Sequence, residues 1–187
     1  MKVAAEICED LWVPLSPSTR HALNGANVIL NLSASNEIVG KADYRKNLVA
    51  SHSAKTLSVY AYANVCQDES TTDLIFSGHS IIASNGTLCA QSELFENRGS
   101  MICSDVDIEK INFDRMKTTT FAGQDSSDYE IVFAPSDIGD NSNEDIDVSV
   151  LNANPFVPQD DLKRKERCRA IINMQANGLA KRLRHTN

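Results

Sequence analysis

The sequence predicts an α/β fold whose sheet is partly antiparallel. Three observations carry that reading. Short β-rich runs at Val3 to Ile7, Val28 to Leu32 and Val59 to Val65 alternate with helix-forming segments from Pro17 to Asn24 and Lys41 to Leu57. The order is therefore strand, helix, strand, helix, strand. Between the next two runs, Ser80 to Ala83 and Leu88 to Gln91, stands Asn85-Gly86, the dipeptide that supplies two positive φ angles for a tight hairpin.

Beyond these elements the sequence predicts a further strand from Met101 to Val106 and an exposed loop over Asp137 to Asp147, where acids alternate with Asn, Ser and Gly. After Asn154-Pro155-Phe156-Val157-Pro158 an amphipathic helix is expected, because Cys168, Ile172, Ala176, Leu179 and Leu183 recur at spacings of four, four, three and four. Its other face is basic, with Lys163, Arg164, Lys165, Arg167, Arg169, Lys181, Arg182 and Arg184. Basic residues without interleaved aromatics read as solvation or as docking to another domain rather than as RNA binding. The expected organisation is one main unit over residues 1–136, a linker over 137–158 and a helix over 159–187.

Length and charge narrow the function classes. A chain of 187 residues, 42% hydrophobic, can bury one sizeable core. A net charge of −7 disfavours binding to a phosphate backbone, so no nucleic-acid partner is expected. No apolar run approaches the roughly 20 residues that span a bilayer, and the acids in the opening MKVAAEICEDLW are unlike a signal peptide, so the reading is cytoplasmic with no membrane partner. The five cysteines are scattered and odd in number, and no two histidines have ligand spacing, so free thiols and no metal site are expected.

The sharpest local signal is Glu6-Ile7-Cys8-Glu9-Asp10-Leu11-Trp12. A cysteine after a short apolar strand, followed by acids, sits on a turn. That geometry can expose sulfur to a pocket while the next backbone N–H points at a developing oxyanion. Taken alone, a lone cysteine after a strand is more often a buried small hydrophobe than a nucleophile. Glu9 could lend its amide to an oxyanion hole and its carboxylate to a substrate ammonium, Asp10 reads as structural at a first helical turn, and Trp12 either walls a pocket or packs. Asp73 and His79 flank Phe76-Ser77-Gly78, but His79 at a strand mouth reads as a buried imidazole bonded to its surroundings rather than as part of a triad with Cys8.

EICEDLW, followed by NLSASNEIVGKADYR, STTDLIFSGHSIIASNGTL, and finally NPFVP with ERCRAI, resembles the glutamine-dependent NAD synthetases along nearly the whole chain. The resemblance implies the carboxy-terminal part of a nitrilase-like glutaminase domain, an α-β-β-α sandwich here lacking its amino-terminal strands. It implies a Glu, Lys and Cys triad that hydrolyses the glutamine amide and sends ammonia to an ATP-dependent synthetase domain of the same polypeptide, where deamido-NAD becomes NAD. Cys8 matches the nucleophile, and Ser35, in NLSAS, and Lys41, in GKADYR, match glutamine contacts. An ammonium can satisfy the substrate carboxylate or anchor a pocket loop; the alternatives are Ser35 as an ordinary strand-end hydroxyl and Lys41 as a solvated helix-start residue.

The family's glutamate and lysine lie on the amino-terminal side of the cysteine by more chain than the seven residues present, and its Ser-Gly-Gly-x-Asp-Ser nucleotide motif would follow RLRHTN. The expectation is therefore of a chain that alone hydrolyses glutamine negligibly and carries no cofactor, with ATP, Mg and deamido-NAD belonging to the synthetase domain. Missing strands would open sheet edges and favour pairing into a homo-oligomer. Two alternatives stand beside this reading: another nitrilase-like amidase, and a non-catalytic assembly module.

Overall fold

A computed structural model describes residues 1–71, 73–95, 100–121, 129–135, 157 and 159–186. The expected acidic loop, and NPFVP apart from Val157, lie outside the described residues. Contacts divide the chain into two units, Met1–Val132 and Phe133–Asn187.

In the first unit five strands run in the order β1 to β5: β1 (Val3–Ile7), β2 (Val28–Ser33), β3 (Val59–Asn64), β4 (Ile81–Ser84) and β5 (Thr87–Gln91). The first three are parallel and the last two pair antiparallel. The parallel pairs require crossovers, supplied by α1 (Pro17–Leu23) and α2 (Lys41–Thr56). Asn85 and Gly86 carry φ of 45° and 84°, and they turn β4 into β5 as expected for a hairpin of this type. The α/β class with a mixed sheet, read from the sequence, is the fold observed.

The two faces of the sheet differ. The alternation of side chains along a strand places Ile29, Tyr60, Tyr62, Ile81 and Ala83 on the face covered by α2, where they form a core with Leu11, Ala26 and Val49. On the other face the register aligns Ala5 with Leu30 and Ala61, and Ile7 with Leu32 and Ala63. Among these Ile7 and Leu32 are 68% and 61% exposed, so an apolar face is open in this unit.

The covered face is also rich in polar groups. The buried Glu6 accepts hydrogen bonds from the Tyr60 hydroxyl and from Ser18 N at 2.8 Å. Ser18 Oγ lies 2.7 Å from His52 Nε2, and Ser16 Oγ 3.3 Å from it. Burial lowers the His52 pKa below its ordinary 6.5, with Lys55 acting the same way and Glu6 opposing. The unfolded chain therefore takes up the His52 proton before the folded chain does. Stability from this group is complete above about pH 6.5 and is lost as pH falls below it. His79, lowered mainly by its own burial, has the same sign. Urea titrations between about pH 7.5 and 5 should show a midpoint that falls below pH 6.5, and His52→Gln should flatten that fall; an unchanged slope in the variant would exclude His52 as its source.

One expectation requires correction, and one element was not foreseen. Residues 101–107 alternate between exposed and half-buried positions, as the sequence pattern suggested, but form no strand. Alternation alone does not make a strand, because a ladder needs a partner, and no described strand lies beyond β5 to supply one. Directly after this stretch comes α3 (Ile108–Met116), which was not anticipated; Asp107 caps it by accepting from Lys110 N at 2.8 Å. In the second unit the expected carboxy-terminal helix is α4 (Asp161–Thr186). Its Cys168, Ile172, Ala176 and Leu183 are exposed.

Candidate active site

The loop ends of the parallel strands gather the residues singled out by sequence. Cys8 follows β1 directly, opens a 3-10 turn (Cys8–Leu11) and has φ of 50°, a region L residues seldom occupy. The turn is held from below: Ile7 N donates to Asp10 Oδ2 at 2.8 Å, which is the structural role expected of Asp10. Asn31 Nδ2 bridges the Tyr60 hydroxyl at 3.0 Å and, more weakly, the Cys8 carbonyl at 3.5 Å. Cys8 is half-buried and Glu9 beside it is exposed. A positive φ on a non-glycine residue costs on the order of 1 kcal/mol and persists only when its surroundings enforce it, a pattern common at nucleophile turns.

Ser35 and Lys41 belong to the connection from β2 to α2. Ser35 is buried, and Asn64 at the end of β3 grips its backbone twice, accepting from Ser35 N at 2.8 Å and donating to Ser35 O at 3.0 Å. Lys41 Nζ donates to the Asn36 carbonyl and side-chain oxygens at 2.8 Å each, and lies 5.5 Å from the Trp12 ring, which stacks on Tyr44. Two of the three ammonium protons thus secure the loop and a third is left for another acceptor. Burial and the nearby Arg45 lower the Lys41 pKa, while Glu37 and Cys8 raise it, so Cys8 and Lys41 share one electrostatic environment. Trp12 packs against the core, the packing role considered for it, with Lys41 over its ring.

Tyr62 on β3 completes the group. Its hydroxyl is buried and makes no hydrogen bond of standard geometry, although Ser33 and Ser35 lie near enough to favour its ionised form. Burial dominates and raises its pKa. Cys8 acts in the same direction on this group, as the smallest of its influences. Glu9 is the one predicted contact for which the fold supplies only proximity in sequence.

Arg45 and Glu37 were not recognised from the sequence. Arg45 stands one helical turn after Lys41 on α2, so two cations share a face and call for an acid nearby; Glu37, four residues before Lys41, is that acid. Arg45 Nη1 donates to Glu37 Oε2 at 3.0 Å and to His79 Nδ1 at 2.9 Å. The imidazole is thereby committed to Arg45, and Asp73 is exposed, so no cysteine, histidine and acid triad is assembled from these residues.

The family model for carbon-nitrogen hydrolases matches residues 1–116. The chain belongs to the carbon-nitrogen hydrolase family. Over 183 residues the chain is 38% identical to the glutamine-dependent NAD(+) synthetase of Mycobacterium tuberculosis strain H37Rv, an alignment covering 96% of the chain and 27% of that protein. It is 36% identical to the corresponding synthetase of Mycobacterium leprae over the same length, again 96% against 27%. The chain therefore spans about a quarter of these relatives. Among solved structures, the carbon-nitrogen hydrolase of Helicobacter pylori G27 superposes with a TM-score of 0.53 at 16% identity, over 66% of this chain and 46% of that one, and shares the fold.

Among the described residues no three His, Cys, Asp or Glu side chains gather to hold an ion, and the eight glycines of the sequence stand singly rather than in a phosphate-binding loop. The candidate chemistry is that of a sulfur nucleophile with an ammonium, a phenol and hydroxyls around it. No described helix is long and apolar enough to cross a membrane.

Proposed function

We propose that this chain supplies the nucleophile and part of the glutamine pocket of a glutamine-hydrolysing domain, within a longer polypeptide that uses the released ammonia in NAD synthesis. The observation that carries the reading is Cys8 at positive φ on the turn after β1, with Lys41 and Tyr62 sharing its electrostatic environment. It gains support from the 38% identity to glutamine-dependent NAD(+) synthetases.

In this reading Cys8 Sγ attacks the side-chain amide carbon of glutamine. A γ-glutamyl thioester forms, the amide nitrogen leaves as ammonia, and water then releases glutamate and the thiol. The Glu9 amide, which follows the nucleophile in sequence, would meet the oxyanion. Ser35 and the spare proton of Lys41 would hold the amino-acid end of the substrate, an ammonium being suited to its carboxylate. A glutamate to move protons and a second lysine to stabilise the oxyanion would come from parts of the longer polypeptide outside these residues, as would the ATP, Mg and deamido-NAD sites. Cytoplasmic location and assembly into a homo-oligomer belong to the same proposal.

The test is made on the polypeptide encoded by the whole open reading frame around residues 1–187. Given glutamine, asparagine and simple aliphatic amides in parallel, it should release ammonia from glutamine in strong preference, and acid quenching during turnover should leave a γ-glutamyl group on the peptide containing Cys8. Hydrolysis of simple amides with no preference for glutamine would instead indicate a broader amidase. An acyl group found on another cysteine would remove Cys8 from the mechanism.

A further inference from the structure

The loop from Ala34 to Gly40 is pinned at three points. Asn64 grips the Ser35 backbone on both sides. Lys41 folds back onto Asn36. The third point is Glu37, whose backbone N–H donates to the Ile75 carbonyl at 2.7 Å and whose Oε2 accepts from Ser77 Oγ at 2.6 Å and Arg45 Nη1 at 3.0 Å.

Arg45 is an expensive residue for this position. Its side chain is wholly buried, and Nε and Nη2 find no hydrogen-bond partner, so the fold leaves N–H groups of a buried cation unsatisfied. Apolar packing of the same volume would hold α2 on the sheet at less cost. The guanidinium instead touches three things at once: Glu37 in the loop, His79 before β4, and the ring of Tyr62, whose centroid lies 5.9 Å away. These belong to three separate segments, and two of them adjoin the candidate pocket.

Resting on the glutamine-site reading above, we infer that Glu37, Arg45 and Ser77 form a clamp that positions Ser35 and Lys41 for the amino-acid end of the substrate. Ser35 and Lys41 lie two residues before and four after Glu37. Freeing Glu37 therefore releases the middle of the segment whose ends must stay in register with each other. A carboxylate recognised by a hydroxyl and an ammonium needs both at fixed separation, and a loop free to move loses that preorganisation. The clamp acts on substrate capture and not on sulfur, because Cys8 sits on a different segment with its own supports in Asp10 and Asn31. None of the three residues is a catalytic residue; each is a positioning residue.

The experiment uses the whole polypeptide and three single variants, Glu37→Asp, Arg45→Lys and Ser77→Ala. Glu37→Asp withdraws the carboxylate from both partners, and Arg45→Lys keeps the charge but loses the planar fork. Ser77→Ala deletes one hydrogen bond and leaves the ion pair whole, so it remains informative where a buried-charge variant fails to fold. For glutamine hydrolysis KM should rise roughly tenfold in the first two and about threefold in the third, with kcat within about twofold of wild type. Alkylation of Cys8 by iodoacetamide, which needs no amino-acid recognition, should keep its wild-type rate. A KM within twofold of wild type in folded Ser77→Ala and Glu37→Asp would overturn the clamp, as would a fall in kcat at unchanged KM. Glutamine hydrolysis by the parent polypeptide that survives Cys8→Ala would show that the site reading had failed, a result visible before any clamp variant is made, and the clamp would fall with it.

Discussion

Replacing Cys8 with alanine is expected to abolish glutamine hydrolysis by the polypeptide that carries this chain, with a loss of about ten-thousand-fold or more. The expectation follows from what the thiol does. Without it no thioester can form, and binding of glutamine together with stabilisation of an oxyanion leaves only the residual rate of direct attack by water. The loss should fall on kcat, because Ser35, Lys41 and Tyr62 do not depend on the sulfur for their placement. Isothermal titration should therefore show glutamine still binding to Cys8→Ala.

Cys8→Gly offers a complementary measurement. The parent holds a side chain at φ of 50°, and glycine enters that region without steric cost, which offsets its greater freedom in the unfolded chain. The glycine variant should be as stable as the parent or slightly more so in urea, although inactive. A clear loss of stability would mean that the side chain is there for packing, and the nucleophile assignment would lose its conformational support.

Among substitutions affecting stability, Arg115→Ala is expected to have the largest effect. Arg115 extends from α3 and donates to four backbone carbonyls: Leu57 from Nε at 2.8 Å, Ala26 and Thr56 from Nη2 at 2.8 Å, and Ala22 from Nη1 at 3.4 Å. Thr56 and Leu57 lie at the end of α2 and Ala22 at the end of α1, where carbonyls have no partner within the helix and the helix dipole favours a cation. Burial lowers the Arg115 pKa to about 10, which still leaves the group charged near neutrality. Its ring contact with Phe121, 4.9 Å from the centroid, adds to the site.

Truncation removes the donor from the Ala26, Thr56 and Leu57 carbonyls, while the Ala22 carbonyl keeps its bond from Gly25 N at 3.0 Å, and frees α3 from the ends of both helices. A loss of about 3–5 kcal/mol, read from urea unfolding, is expected, since hydrogen bonds from a charged donor are among the stronger ones and buried acceptors are expensive to orphan. Arg115→Lys should recover only part of it, because one ammonium cannot span four acceptors on separate segments. A loss under about 1 kcal/mol for alanine would show that water replaces the guanidinium and that α3 docks by other means.

The sequence by itself determined the local structure. Val3 to Ile7, the two crossover helices and the Asn85-Gly86 turn were legible because each depends on side-chain pattern within a few residues of chain. The turn at Cys8 was legible because the strand ends where acids begin; Cys8, Ser35 and Lys41 were singled out as site residues because their motifs resemble those of a known family. Their roles in glutamine binding rest on that resemblance together with the chemistry of hydroxyl and ammonium groups.

What the tertiary structure decided was everything set by partners distant in sequence. The stretch at residues 101–107 has the alternation of a strand and forms none, because a strand exists only with a neighbour to receive its hydrogen bonds. Nothing local in the sequence singles out Arg115, whose role depends on carbonyls brought to it by α1 and α2. Arg45 and Glu37 likewise carry no local signal. Folding removed water from Arg45 and left Glu37, His79 and the ring of Tyr62 around it, and a buried charge has no choice but to organise the groups it can reach.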